Sequence, residues 1–292
     1  MKIGWIGTGV MGASMAGHVQ AAGHEIYVYN RTREKAAGLI EKGAVWCDSP
    51  GEVASASEAV FSVVGFPEDV EEVYFGAEGI FSSSAGCGTV VDMTTTKPSL
   101  AVRIAETARE RGIDALDAPV SGGDIGARDG TLVIMVGGAR ETMEKMMPVF
   151  ECLGSRVTFM GGPGAGQHTK MCNQILVSGT MISVCESLLY AARVGLDQQA
   201  VIDVVGKGAA GSWSINNLGP RIVKGDFSSG FFVEHFIKDM GIALEEAEAM
   251  GLSLPGLALV KQLYVAVKAQ GHGRSATQAL YLALKAMSEK SI

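Results

Sequence analysis

Lys170 and Asn173 stand three residues apart just beyond a Gly164-x-Gly166 break, and Lys170 is the sole Asp, Glu, Lys or Arg between Arg156 and Glu186. On a helix the two share one face, with His168 close by. A lone lysine is ordinarily a solvated surface charge, but one set in so apolar a stretch is expected to be partly buried. Burial would lower its pKa toward the working range of a general acid or base.

Three further groupings carry chemistry. Asp117-Ala118-Pro119-Val120-Ser121-Gly122-Gly123 follows an apolar run, and its last three residues can turn successive amides and a hydroxyl toward a small carboxylate. Physics alone favours a plain glycine-rich turn there. Asp92-Met93-Thr94-Thr95-Thr96-Lys97-Pro98 ends another run; its hydroxyls can cap the next helix, meet a ligand at the end of a parallel strand, or do both.

Gly7-Thr8-Gly9-Val10-Met11-Gly12 is a G-x-G-x-x-G between a predicted strand and a predicted helix. Glycines are needed because a Cβ in that turn would hold the backbone away from a pyrophosphate that the helix N-terminus attracts. A mere tight turn is the competing reading, but strand, helix and second strand together favour dinucleotide binding. The second strand ends in Tyr29-Asn30-Arg31-Thr32, without the acidic residue that holds a ribose 2′-hydroxyl. Arg31 and Thr32, with Arg33, can donate to a 2′-phosphate, which favours NADP and leaves NAD possible. Solvated loop arginines are the alternative.

The elements that must position these residues follow from periodicity. Short apolar runs at 2–6, 25–29, 59–64, 89–93, 115–118, 131–136 and 156–160 alternate with amphipathic stretches, the pattern of βαβ units. Met11, Met15, Val19 and Ala22 make the stripe of the first helix, closed by Gly23. Beyond Gly161–Gly166 the runs stop, and helices are predicted: one long helix over 165–195, then stripes at Phe236, Met240, Ala243, Ala247, Met250 and at Leu257, Val260, Leu263, Tyr264, Val267. The reading is an α/β dinucleotide-binding domain, 1–163, followed by an all-α domain, 164–292, joined by the long helix.

Composition agrees. The 292 residues, 47% hydrophobic and 19% charged, suit two packed domains and exclude disorder. Lys plus Arg number 24 against 31 Asp plus Glu, a net charge of −7, so no nucleic-acid or anionic-membrane partner is expected. Five cysteines without a Cys-x-x-Cys pair read as a reduced, cytoplasmic chain without a metal site. The charge-free stretch Met171–Cys185 falls short of the roughly 20 residues a bilayer requires and reads as a buried helix. The glycine-punctuated N-terminus lacks a signal peptide's apolar core, so no export is expected. Leu280, Leu282 and Leu284 add to more apolar surface than two domains would cover, which predicts a homo-oligomer.

With these motifs in order from about residue 2 to residue 285, the chain resembles the β-hydroxyacid dehydrogenase family. That family includes 3-hydroxyisobutyrate dehydrogenase, 2-hydroxy-3-oxopropionate reductase and the glyoxylate/succinic semialdehyde reductases. The resemblance implies a Rossmann-type domain, a long interdomain helix and an all-α domain that also serves assembly as a homodimer or homotetramer. It implies that residues 7–12 hold the cofactor with Thr95, with Phe66-Pro67 in place of the family's usual Leu-Pro, and with Lys238 of Phe236-Ile237-Lys238-Asp239. It implies that Ser121, Gly122 and Gly123 hold a substrate carboxylate, that Lys170 is the acid/base and that Asn173 orients substrate. The family often has a second asparagine where this chain has Gln174. The expected reaction interconverts a small 3- or 4-hydroxy acid and its semialdehyde, and the lack of clustered basic residues argues against 6-phosphogluconate. Two rivals are an imine reductase, which would carry another residue in place of Lys170, and a silent dinucleotide-binding module, which would have no use for the full set.

Overall fold

The computed structural model describes residues 1–82, 86–228 and 230–288. The chain divides into two compact units, Met1–Lys170 and Met171–Ile292. The division between these units falls inside the long helix, Ala165–Arg193.

The first unit is built on one sheet of β1 (Lys2–Ile6), β2 (Glu25–Tyr29), β3 (Val45–Trp46), β4 (Ala59–Ser62), β5 (Thr89–Asp92), β6 (Asp114–Asp117), β7 (Val120–Ser121), β8 (Leu132–Gly138) and β9 (Gly154–Gly161). Their order is β3-β2-β1-β4-β5-β6-β8-β7, with β9 against β8. All pairs from β3 to β6 are parallel, whereas β6–β8 and β7–β8 are antiparallel. The seven strands read from apolar runs are present. The two-residue β3 and β7 are additions, too short for a period of two to register.

Parallel strands covered on both faces must be apolar throughout, and β4 is buried at every residue. On one face Trp5 stacks on Phe61 at 5.8 Å and Phe61 meets Phe150 edge-on at 5.9 Å, joined by Met15 and Val19 from the helix Gly12–Ala21. The other face packs Val53, Val70, Tyr74 and Ile104. Strand order reverses direction between β1 and β4, the switch point at which open α/β sheets bind ligands.

The second unit is helical, its β content among the described residues being the single bridge Phe232–Ala276. The predicted stripes bury Phe236, Met240, Ala243, Leu257, Val260, Tyr264 and Val267 in one core, which includes an edge-to-face Phe236–Tyr264 pair at 5.0 Å; Ala247 is buried as well. Met250 is exposed instead, because it caps the helix Val233–Ala249 rather than continuing it. Leu280 and Leu284 are buried and Leu282 half-buried in this same core. They are therefore not the uncovered surface expected of them.

One further expectation is corrected. The charge-free stretch lies within a helix of 29 residues that is, by length and apolarity, able to cross a bilayer. Run length failed here because a single lysine interrupts the count without ending the helix. Only a third of its most apolar window is buried, so it is less enclosed than a core helix was expected to be. Its first turns, however, carry buried Gln167, Lys170 and Gln174, side chains suited to packed protein and costly in lipid.

Candidate active site

Every motif of the first unit follows the carboxyl end of a parallel strand. Residues 7–12 follow β1, Asn30–Thr32 follow β2, Phe66–Pro67 follow β4, Thr94–Thr96 follow β5 and Ser121–Gly123 lie beyond β6. At Gly7, where φ is +99°, a Cβ would drive into the Val63 carbonyl, and one at Gly12 into the carbonyl of Gly7. The tight turn thus depends on both glycines. Gly9 has open space where a Cβ would stand, and Val10 is exposed. Buried glycines beneath and an open upper face at a helix N-terminus fit a dinucleotide pyrophosphate. Thr8 adds a buried hydroxyl without a hydrogen-bond partner in the protein.

Asn30 serves the same turn: its Oδ1 accepts from the Thr8 amide at 2.9 Å and its Nδ2 donates to the Thr32 carbonyl at 2.8 Å. Arg31, its side chain 85% exposed, pairs with Asp69 at 3.1 Å. Asp69 in turn accepts from the Phe66 amide at 3.1 Å, so the β2 and β4 loops are linked. Thr32 is exposed and Pro67 buried at the start of its helix. Arg33 lies over the Trp46 ring at 5.1 Å.

The threonine loop is anchored from below. Asp92 Oδ1 accepts from Ser62 Oγ at 2.9 Å and from the Thr94 amide at 3.1 Å, and Thr94 Oγ1 accepts from the Val64 amide at 2.9 Å. Burial pushes the Asp92 carboxyl up to about 6, its hydrogen bonds opposing that rise and the nearby Asp117 adding to it. Asp117, also raised by burial, accepts from the amides of Gly164 and Gln167, both at 2.8 Å. Thr95 between its buried neighbours is half-buried.

Lys170 is 7% exposed, as its apolar surroundings predicted. Its Nζ donates to the Val120 carbonyl at 2.8 Å, the residue immediately before Ser121. Ser121 is half-buried, and Gly122 and Gly123 take φ of +132° and +65° to enter the helix Gly123–Asp129. A cation is thus held beside the Ser-Gly-Gly segment. His168 points to an exposed position.

Asn173 and Lys238 belong to the second unit, where they join one polar chain. Asn173 Nδ2 donates to Gln174 Oε1 at 2.7 Å, Gln174 Nε2 donates to Asp239 Oδ2 at 2.7 Å, and Lys238 Nζ lies 3.1 Å from Asp239 Oδ1. Lys238 is 11% exposed and Asp239 1%. Gln174 and Asp239 were missed as polar organisers. The only signal in the sequence was two polar residues adjoining others already singled out.

Residues 2–162 match the family described as the NAD binding domain of 6-phosphogluconate dehydrogenase, and residues 164–284 the family described as NAD-binding of NADP-dependent 3-hydroxyisobutyrate dehydrogenase. The chain is 53% identical to an uncharacterized oxidoreductase of Bacillus subtilis, over 96% of this chain and 97% of that protein. It is 49% identical to a probable 3-hydroxyisobutyrate dehydrogenase-like protein of Arabidopsis thaliana, described as mitochondrial, over 100% and 87%. Identity to the 2-hydroxy-3-oxopropionate reductase of Escherichia coli is 39%, over 100% of both chains. A structure of Mycobacterium tuberculosis 3-hydroxyisobutyrate dehydrogenase with L-serine superposes at a TM-score of 0.88, 27% identical over 97% of this chain and 99% of that one. Another, of Psf3 in complex with NADP+ and 2-OPP, gives 0.86 at 27% identity, over 97% and 99%. Imine reductases share the fold at 18–20% identity.

Proposed function

From the premise that the chain belongs to the β-hydroxyacid dehydrogenase family, we propose that it interconverts a phosphate-free 3- or 4-hydroxy acid of three to four carbons and its semialdehyde. NADP(H) is the preferred cofactor in this reading. The observation that carries it is the buried Lys170 ammonium seated on the Val120 carbonyl, one residue from Ser121-Gly122-Gly123.

The nicotinamide, when bound, supplies hydride to the aldehyde carbon or takes it from the alcohol carbon. Residues 7–12, Phe66-Pro67 and Thr95 would hold the cofactor, with Asn30, Arg31 and Thr32 at the 2′-phosphate. Ser121 and the amides of Gly122 and Gly123 would fix the substrate carboxylate, which orients the reacting carbon. Lys170 Nζ gives a proton to the developing alkoxide during reduction and takes it back during oxidation. Asn173 and Lys238 are assigned to substrate orientation and to the nicotinamide end on the family resemblance.

The test is absorbance at the reduced-nicotinamide band with NADPH and a panel of 2-hydroxy-3-oxopropionate, succinic semialdehyde and malonate semialdehyde. Turnover of at least one member is expected. Silence across the panel would favour a silent dinucleotide-binding module. We also assign the chain to the cytoplasm, without a membrane partner, on its free thiols, to be checked by cell fractionation. A homo-oligomer is proposed in place of a monomer, because Leu176 and Tyr190 on the long helix and Val194 in the turn after it are exposed.

A further inference from the structure

Three residues before Lys170 on the same helix stands Gln167, 0% exposed. Its Nε2 donates to the Thr94 carbonyl at 2.7 Å and its Oε1 accepts from the Thr96 amide at 3.1 Å. A carbonyl only accepts and a backbone amide only donates, so these two contacts set the amide's orientation and bracket Thr95 between them. The Gln167 backbone amide is held separately by Asp117 Oδ2 at 2.8 Å, and the Gly164 amide by Oδ1 at 2.8 Å. This close seat on β6 requires Gly166, where a Cβ would meet the Asp117 carbonyl at 2.7 Å and its Oδ2 at 2.8 Å. The first turn of the lysine-bearing helix is thereby fastened both to the Thr94–Thr96 loop and to the end of β6.

We propose that Gln167 is a positioning residue for the reaction, holding the Thr95 loop and the Lys170 ammonium in one register. The proposal rests on the acid/base reading of Lys170. Gln167 is sealed from solvent with each end of its amide on a backbone group, so it acts through those partners rather than on substrate. Proton transfer requires heavy atoms within about 2.6–3.2 Å, and a displacement of about 1 Å can cost on the order of 100-fold in rate. A side chain that ties the lysine's own helical turn to the cofactor-side loop controls that distance. Asp117, gripping the same turn through backbone amides, is its anchor.

The experiment places Gln167→Met and the isosteric Gln167→Glu in the parental and Lys170→Ala backgrounds. Glutamate keeps the acceptor for the Thr96 amide and loses the donor to the Thr94 carbonyl, so it remains informative if the methionine variant does not fold. Steady-state kcat and KM are read with NADPH and whichever of the three panel aldehydes turns over fastest, alongside melting temperature. In the parental background kcat should fall about 10- to 100-fold with KM for the aldehyde changed less than about threefold. In the Lys170→Ala background the same substitutions should lower kcat less than about threefold, because no ammonium remains to be placed. Equal losses in both backgrounds, or an unchanged kcat in a folded variant, would overturn the positioning role and leave the role of Lys170 standing. A normal kcat in Lys170→Ala alone would instead overturn the reading beneath it.

Discussion

Lys170 Nζ donates to the carbonyl of Val120 at 2.8 Å across 50 residues of sequence, which seats the ammonium against the strand that leads into Ser121-Gly122-Gly123. The carbonyl accepts one of the ammonium's hydrogen bonds and so fixes where the charge sits. In the proposed reaction this contact puts the proton donor beside the segment assigned to the substrate carboxylate.

Lys170→Ala is therefore expected to lose about 10²–10⁴-fold in kcat while keeping its fold and cofactor affinity. Lys170→Arg should not restore the rate, because guanidinium holds its proton too tightly. If the lysine were only structural, the alanine variant would melt earlier and keep most of its activity; measuring both quantities separates the cases.

Arg31→Ala should weaken NADPH binding by roughly tenfold and leave NADH within about threefold. A charged hydrogen bond is worth about 1.5–3 kcal/mol, and the low end applies because Arg31 is solvent-exposed and already shared with Asp69. Calorimetric titration with both cofactors decides this, and equal losses for the two would remove Arg31 from the 2′-phosphate.

Asp92 provides a pH signature. Its carboxyl is pushed up to about 6 by burial, above the unfolded value of about 3.9. The folded state therefore binds the proton more tightly, and ionisation costs stability progressively as pH rises from about 4 to 6. Asp92→Asn keeps an acceptor for Ser62 and Thr94, so relative to the parent it should gain up to about 3 kcal/mol at pH 7.5. That gain should fade below about pH 4. Denaturant unfolding across pH measures the difference, and a gap independent of pH would contradict it.

Gln174→Leu should destabilise the second unit by about 1–3 kcal/mol, since it strips a hydrogen bond from the buried Asp239 and another from Asn173. Urea unfolding reads the loss. A change within about 0.5 kcal/mol would show that Lys238 alone satisfies the carboxylate.

Light scattering at working concentration should give a multiple of 30.4 kDa. A monomer mass would leave Leu176, Tyr190 and Val194 as ordinary exposed residues.

What the sequence determined by itself was local. The nucleotide-binding turn, the apolar strands, the long helix and the burial of Lys170 were legible because each depends on residues within a few positions of one another, through backbone geometry and a fixed period. The tertiary structure decided the partners. Gln167 reaches Thr94 and Thr96 across 73 and 71 residues, and Gln174 reaches Asp239 across 65. It also decided that Leu280 and Leu284 lie in the core. No periodicity encodes such pairings, because they depend on which strands and helices become neighbours, and the burial that gives Asp92 its raised pKa exists only once those neighbours have excluded water.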